Sequence, residues 1–308
     1  GRPTQPDAAA ARLATPATRK SPPAPGGRRH QRKLSPPAGC ARAVAGAQFY
    51  FPVGRLASNL EAMHPIAFKL GGLAIHWYGV MVALGFLAGL WTASRRALRT
   101  GIAAEKILDL GPWLILGAIV GARGLYVISY WRESFAGQPF GEIFAVWHGG
   151  LVYYGGLIGA SLAGLLYTRL KKLPLGKVAD ILAPSIALGH VFGRIGCLLN
   201  GCCYGRACTL PWAIQFPPGN PLNAPTYPVH PTEVYESLLN LGLYAALAWL
   251  YRRKQFDGQV FAVYLVGYAL LRSLVDLFRG DYPAHQYYLG GWATPAHLAS
   301  LVTLVGGL

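Results

Sequence analysis

The sequence has 308 residues, 53% hydrophobic and only 13% charged, with a formal net charge of +16. So apolar a composition excludes an ordinary soluble domain and points to a helical bundle in lipid. The charge does not indicate a nucleic-acid partner: ten Lys or Arg against the single acid Asp7 fall in residues 1–58, and most of the others sit in short loops, as membrane topology produces.

Residues 1–58 are rich in Pro, Ala, Gly and Arg, as in SPPAPGGRRHQRK from Ser21 to Lys33, and have no apolar period. Such a segment cannot bury enough surface to offset chain entropy, so it is expected to be a disordered basic tail. Met63, just ahead of the first apolar run, is a candidate natural start, which would make the tail an artefact of gene assignment. A mitochondrial-type targeting segment is the alternative, because the tail is Arg-rich and nearly free of acids. Residues 59–308 are then one transmembrane domain.

Apolar runs long enough to cross about 30 Å of hydrocarbon are predicted at Gly72–Ala93, Ile107–Ile128, Leu151–Leu170, Val178–Leu199, Val234–Tyr251 and Gln259–Phe278, with a seventh beginning near Trp292. The expected fold is therefore an all-α, polytopic membrane protein of about seven transmembrane helices with a small outward-facing loop region. After the first, third and fifth runs come Arg95, Arg96, Arg99, Lys106; Arg169, Lys171, Lys172, Lys177; and Arg252, Arg253, Lys254. The opposite loops hold Arg132, Arg206 and Arg279. The positive-inside rule then puts the N-terminus outside and the C-terminus in the cytoplasm. Gly117 and Gly121 have the small-xxx-small spacing that lets helix backbones approach closely. No internal repeat is evident, which argues against a transporter built from duplicated halves.

Charged residues inside a span usually face a cavity and have a partner, since an Arg at mid-membrane costs at least about 2.5 kcal/mol. Arg123 lies late in the second run, Arg194 late in the fourth, and Arg272 and Asp276 late in the sixth. With alternating orientation all of them fall toward the outer half of the bilayer. Tyr268, Arg272, Asp276 and Arg279 recur at i, i+4, i+8 and i+11 and so share one helix face. That stripe reads as an anion-binding wall or as an ion-pair seam. Arg194 has no carboxylate within a helical turn, which favours an external anion there. A guanidinium fork suits phosphate, and the phosphate a membrane supplies in quantity belongs to its lipids.

Cys197, Cys202, Cys203 and Cys208 form a C-x4-C-C-x4-C cluster in a segment expected to face an oxidising compartment. Such a compartment favours at least one disulfide. The pattern lacks the C-x2-C pairing of a structural zinc site, so no metal ligands and no cofactor are expected.

A series of ordered motifs spans the chain from Ile75 onward. These are His76-Trp-Tyr-Gly79, Trp147-His-Gly-Gly-Leu151, Tyr154-Gly-Gly-Leu-Ile-Gly159, Gly193-Arg-Ile-Gly196 with Asn200-Gly201, His230-Pro231 with Tyr235-Glu236, and Gly267-Tyr268 with Arg272. Together they resemble the prolipoprotein diacylglyceryl transferases, bacterial inner-membrane enzymes of seven transmembrane helices. The resemblance implies transfer of a diacylglyceryl group from phosphatidylglycerol to the lipobox cysteine thiol of a prolipoprotein signal peptide, with release of glycerol phosphate. A transporter or a lipid-binding protein without chemistry is the alternative from another class. The resemblance also implies that Arg194 binds phosphatidylglycerol, that Arg272 is a second essential arginine, and that Tyr78, Asn200 and Tyr268 line the same cavity. Arg123 and Asp276 complete the expected substrate-binding set.

This chain departs from the family pattern where members commonly carry His at Tyr154, Asn at Cys197, and Glu at Cys202 and Asp276. A phenol is a poor general base near neutrality, so Tyr154 is expected to orient phosphate through a hydrogen bond. His148, six residues earlier, is the expected proton acceptor. Deprotonation to water or to the phosphate itself is the other route. His230, Pro231, Tyr235 and Glu236 read as structural, with Thr232 capping a helix.

Overall fold

The structure, a computed structural model, describes residues 65–280 except 72, 219, 221 and 223, together with His297 and Ser300. The expected tail over residues 1–58 and the run from Trp292, apart from His297 and Ser300, lie outside the described residues.

The described chain is mostly helical. It opens with a small antiparallel hairpin, β1 (Ile66–Leu70) and β2 (Leu73–His76). Six helices follow: α1 (Trp77–Ala97), α2 (Ala104–Ser129), α3 (Tyr153–Leu170), α4 (Leu175–Asn200), α5 (Thr232–Leu250) and α6 (Gln259–Asp276). The hairpin corrects the all-α expectation and the first predicted boundary. Gly71 turns the chain in the left-handed region at φ 58°, β2 takes the first residues of the apolar run, and the Trp77 N–H donates to Pro65 O at 2.9 Å where α1 begins. The run is apolar because four of its residues are strand, which hydropathy alone does not distinguish from helix.

Among the described residues, four elements are long and apolar enough to cross a membrane: Trp77–Thr100, which adds one 3-10 turn to α1, and α2, α4 and α6. α3 and α5 have 18 and 19 residues, a rise of about 27 Å each. Gly and Tyr dilute the apolar content of α3, and a buried polar stripe does so in α5.

Two kinds of packing position the site. Along α2 and α3, glycines let the backbones touch: a Cβ on Gly117 would sit 2.6 Å from Gly159 O, and Gly121 and Gly155 would each meet the other's carbonyl oxygen. The close approach expected from the Gly117 and Gly121 spacing is present. The main apolar core lies at one end of the bundle. It joins Ala93 and Ala97 of α1, Ile107 and Leu110 of α2, Tyr167 of α3, Val178 and Ile181 of α4, Leu247 of α5 and Val260 and Tyr264 of α6. The opposite end, where α4 and α6 finish and α5 starts, is polar. There the loop over residues 201–231 folds on a satellite core of Ile214, Phe216, Ala224 and Val229, held by bridges from Val229 to Ala207 and Ile214.

Candidate active site

Three charged rows meet at the polar end. Arg194 lies in the penultimate turn of α4, Glu236 in the second turn of α5, and Arg272 with Asp276 in the last turns of α6. Glu236, with a side chain only 3% exposed, lies 2.9 Å from Arg194 Nη2 through Oε1, and its Oε2 accepts from Arg272 Nη1 at 3.0 Å. Arg272 Nη2 in turn donates to Asp276 Oδ1 at 3.3 Å, and Asp276 Oδ2 faces His297 Nδ1 at 3.4 Å. The result is one chain of alternating charge across three helices and His297. Burying either carboxylate alone would be costly, and pairing each with a guanidinium is what permits it.

This geometry revises the reading of Arg194. No carboxylate lies within a turn of it on α4, but α5 supplies one through space. Sequence reasoning took Glu236 as structural, yet α5 carried a signal: Glu233, Glu236, Ser237 and Asn240 recur at helical spacing and are all buried. The intrahelical pair of Arg272 and Asp276 is present as one link of a longer network. Thr232 does not cap α5. Pro231 is the residue ahead of the helix, and the Thr232 hydroxyl donates to Cys203 O at 2.7 Å instead.

The remaining expected residues divide. Tyr268 sits one turn before Arg272, its ring 4.8 Å from that of the half-buried His190, with Glu236, Arg272 and Arg194 among its electrostatic neighbours. Tyr78, in the first turn of α1, lies against Gly196 and within electrostatic reach of Arg194. Asn200 ends α4, its side-chain amide 3.9 Å from Cys202 Sγ. Tyr154 is exposed and meets Tyr153 edge-on at 5.6 Å; it is Tyr153 whose electrostatic neighbours include Arg194, Arg272 and Glu236. Both rings are exposed, 53% for Tyr154 and 68% for Tyr153, at the start of α3.

Arg123 is placed differently from the expectation. Its Nε donates to Ile143 O at 2.8 Å, Nη1 to Gly149 O at 2.7 Å and Gly150 O at 3.2 Å, and Nη2 to Glu142 O at 2.6 Å. It also stacks over Tyr126 and Phe135. Four of its five N–H donors hold the loop ahead of α3, so in this structure Arg123 clamps that loop. His148 closes the short helical turn Val146–His148 of that loop; its side chain lies outside what is described.

Cys197 in the last turn of α4 and Cys202, Cys203 and Cys208 of the loop are all free, in place of the expected disulfide. Cys197, Cys202 and Cys203 converge, with their Sγ atoms within 4.8 Å of one another, and they form a candidate metal-ligand group where none was expected. The neighbouring Cys197 and Cys202 thiols, followed by Arg279 and Arg194, hold the Cys203 thiol well below the usual range against the opposing effect of burial. Spacing could not show this cluster, because the cysteines meet only after the helix end reverses the chain.

A family model described as prolipoprotein diacylglyceryl transferase matches residues 65–308. Among curated proteins named phosphatidylglycerol--prolipoprotein diacylglyceryl transferase, the one from Nitratidesulfovibrio vulgaris is 38% identical over 240 residues, 77% of this chain and 88% of that protein. The protein of that name from Synechococcus elongatus is 37% identical over 73% of this chain and 80% of its own length. That from Aliivibrio salmonicida is 35% identical over 81% and 87%.

Proposed function

Because the chain belongs to the family of prolipoprotein diacylglyceryl transferases, we propose that its polar end transfers a diacylglyceryl group from phosphatidylglycerol to a prolipoprotein cysteine thiol. The observation that carries this reading is the pair of arginines from different helices, Arg194 and Arg272, converging on Glu236 at the polar end of apolar helices. The protein is read as a multi-pass enzyme of the bacterial cytoplasmic membrane, with seven spans, the N-terminus outside and the C-terminus inside. Its transmembrane domain starts near residue 59, with the basic segment over 1–58 dispensable.

In the reaction the sulfur of the signal peptide's lipobox cysteine bonds to the terminal glycerol carbon of the diacylglyceryl group. The bond from that carbon to the phosphate oxygen breaks, and the electron pair leaves on phosphate as glycerol phosphate. Charge grows on the leaving phosphate, so the forks of Arg194 and Arg272 act where the transition state differs most from the ground state. Tyr268, Tyr78 and Asn200 border the same end and position the headgroup. Glu236 holds the two forks apart and preoriented, so little reorganisation is needed when the phosphate arrives.

The thiol proton needs an acceptor. Two imidazoles are candidates: His148, in the loop that Arg123 clamps, and His297, whose Nδ1 faces Asp276. The second is favoured by its carboxylate, which orients an imidazole and stabilises the imidazolium that forms. Tyr154 and its neighbour Tyr153, at the start of α3, orient the phosphate.

The test is incubation of the purified protein with a lipobox peptide in vesicles containing phosphatidylglycerol, read by mass spectrometry. Thioether-linked diacylglyceryl peptide is the expected product. Lipid binding without any modified peptide would instead support the non-enzymatic alternative.

A further inference from the structure

The turn between α4 and the loop over 201–231 carries three thiols that the transfer reaction does not use. Gly201 ends α4 in the left-handed region (φ 76°, ψ 43°), and the N–H groups of Gly201 and Cys202 both donate to Cys197 O, at 3.0 and 3.1 Å. Cys203 is left-handed as well, at φ 71°, a conformation that costs a residue with a Cβ on the order of 1 kcal/mol or more. These two reversals bring the thiols together. The Sγ atoms of Cys197, Cys202 and Cys203 lie within 4.8 Å of one another. A tetrahedral zinc with bonds of about 2.3 Å needs sulfurs roughly 3.8 Å apart. The gap is of the size that side-chain rotation closes.

A second observation is independent of the thiols. Glu233, in the first turn of α5, is 1% exposed, and neither of its carboxylate oxygens has a hydrogen-bond partner. The hydroxyl of the preceding Thr232 ties that turn to Cys203 O at 2.7 Å. Among the charged groups around the Glu233 carboxylate, Cys203 is the foremost, followed by Arg279 and Arg194. A buried carboxylate without a hydrogen-bond partner, within electrostatic reach of the Cys203 sulfur, is a group that a cation held by the thiols would satisfy. Three thiolates on a divalent ion leave one negative charge, and Arg194 and Arg279 both lie within electrostatic reach of Cys203 to balance it.

We propose that Cys197, Cys202 and Cys203 bind a thiophilic divalent cation of the zinc class, with the Glu233 carboxylate, directly or through a water, as the fourth ligand. The ion fastens the start of the 201–231 loop to the end of α4 and to the first turn of α5. It therefore braces the segment that carries Arg194. Cys208 takes no part.

The experiment is a titration of the full-length protein in detergent, reduced and then freed of reductant, with Co2+ followed by Zn2+. The wild-type protein is expected to develop thiolate-to-cobalt charge-transfer absorption and the visible bands of a tetrahedral ion, both erased by Zn2+. Cys197→Ser, Cys202→Ser and Cys203→Ser should each weaken the charge-transfer band, while Cys208→Ser leaves it intact. Glu233→Gln should keep the band but lower Zn2+ affinity about 10- to 100-fold. The wild-type titration requires no variant to fold. Absence of the cobalt–thiolate band in the wild-type protein overturns the site, as does its loss in Cys208→Ser. Protein isolated without reductant in which two of the three thiols are joined as a disulfide overturns it equally.

Discussion

Arg194 and Glu236 stand 2.9 Å apart across the packing of α4 on α5, and the same carboxylate also holds Arg272. The two arginines proposed to bind phosphate are therefore already paired with an anion before substrate arrives. A phosphate oxygen must compete with Glu236 or use the donors that it leaves. Both arginine side chains keep some accessible surface, 19% for Arg194 and 12% for Arg272, so neither is fully enclosed.

Arg194→Ala should lower transfer about 100-fold or more, the scale of losing a preorganised donor at a developing charge, with membrane insertion intact. Arg194→Lys should fail to a similar degree, because an ammonium cannot offer a planar fork to phosphate and carboxylate at once. Single-turnover transfer to a lipobox peptide measures both. Near-normal turnover in the Lys variant would contradict the assigned role.

Glu236→Gln removes the charge that both arginines share and leaves two partly buried guanidiniums repelling each other. Breaking a buried pair from one side costs about 3 to 5 kcal/mol, and the partial exposure of the arginines puts the expected loss at the lower end. Thermal unfolding in detergent should show a lower midpoint, with part of the loss recovered on adding phosphatidylglycerol. A midpoint equal to the wild type would mean that Glu236 is not the electrostatic centre of the site.

The base can be assigned by comparing two histidines. His297→Gln and Asp276→Asn should both lower the transfer rate and flatten its rise with pH, since an imidazole base acts only once deprotonated. His148→Ala should then retain most of the wild-type rate and pH profile. If His148→Ala alone loses the pH dependence, the proton goes to the loop imidazole. Tyr154→Phe should cost a modest fraction of the rate in either case.

His230 gives a stability prediction in the loop. Burial lowers its pKa below the ordinary value, so the folded loop favours neutral imidazole, placed 3.3 Å from the Tyr235 hydroxyl. The unfolded chain binds the proton more readily. The stability from this group is therefore fully present above about pH 6.5 and lost as pH falls through the lowered folded value. Unfolding midpoints measured across that window should fall with acidification in the wild-type protein and fall less in His230→Gln.

Deleting residues 1–58 should leave insertion and transfer unchanged, because this basic segment has no apolar period and the family match begins at residue 65. Protease mapping of loop accessibility together with the peptide assay would check it. An inverted or degraded product would assign the segment a role in topology.

Much of this protein was legible in its sequence because lipid imposes one-dimensional rules. Apolar length gave the helices and the cost of buried charge gave Arg194, Arg272 and Asp276, which the structure brings to one end. What escaped were relations across helices. Glu236 reads as an ordinary acid near a helix start until α4 packs on α5, and His297 lies 21 positions from its carboxylate partner Asp276. For Arg123 the cost of burial identifies the need for partners but not their kind, and here loop carbonyls meet it. The three thiols were missed because cysteine spacing along a chain says nothing about a left-handed turn that folds it back.

The glycine contact between α2 and α3 has a mechanical consequence. Where Gly117, Gly121, Gly155 and Gly159 bring backbone against backbone, no side-chain rotamers remain to absorb a displacement. The two helices are therefore coupled as a single stiff strut, and a tilt of one carries the other with it. Arg123, rooted in α2 directly after this seam, transmits any such tilt to the carbonyls of the loop before α3. Compliance for a bulky two-chained lipid must then come from the helix pairs that meet through side chains.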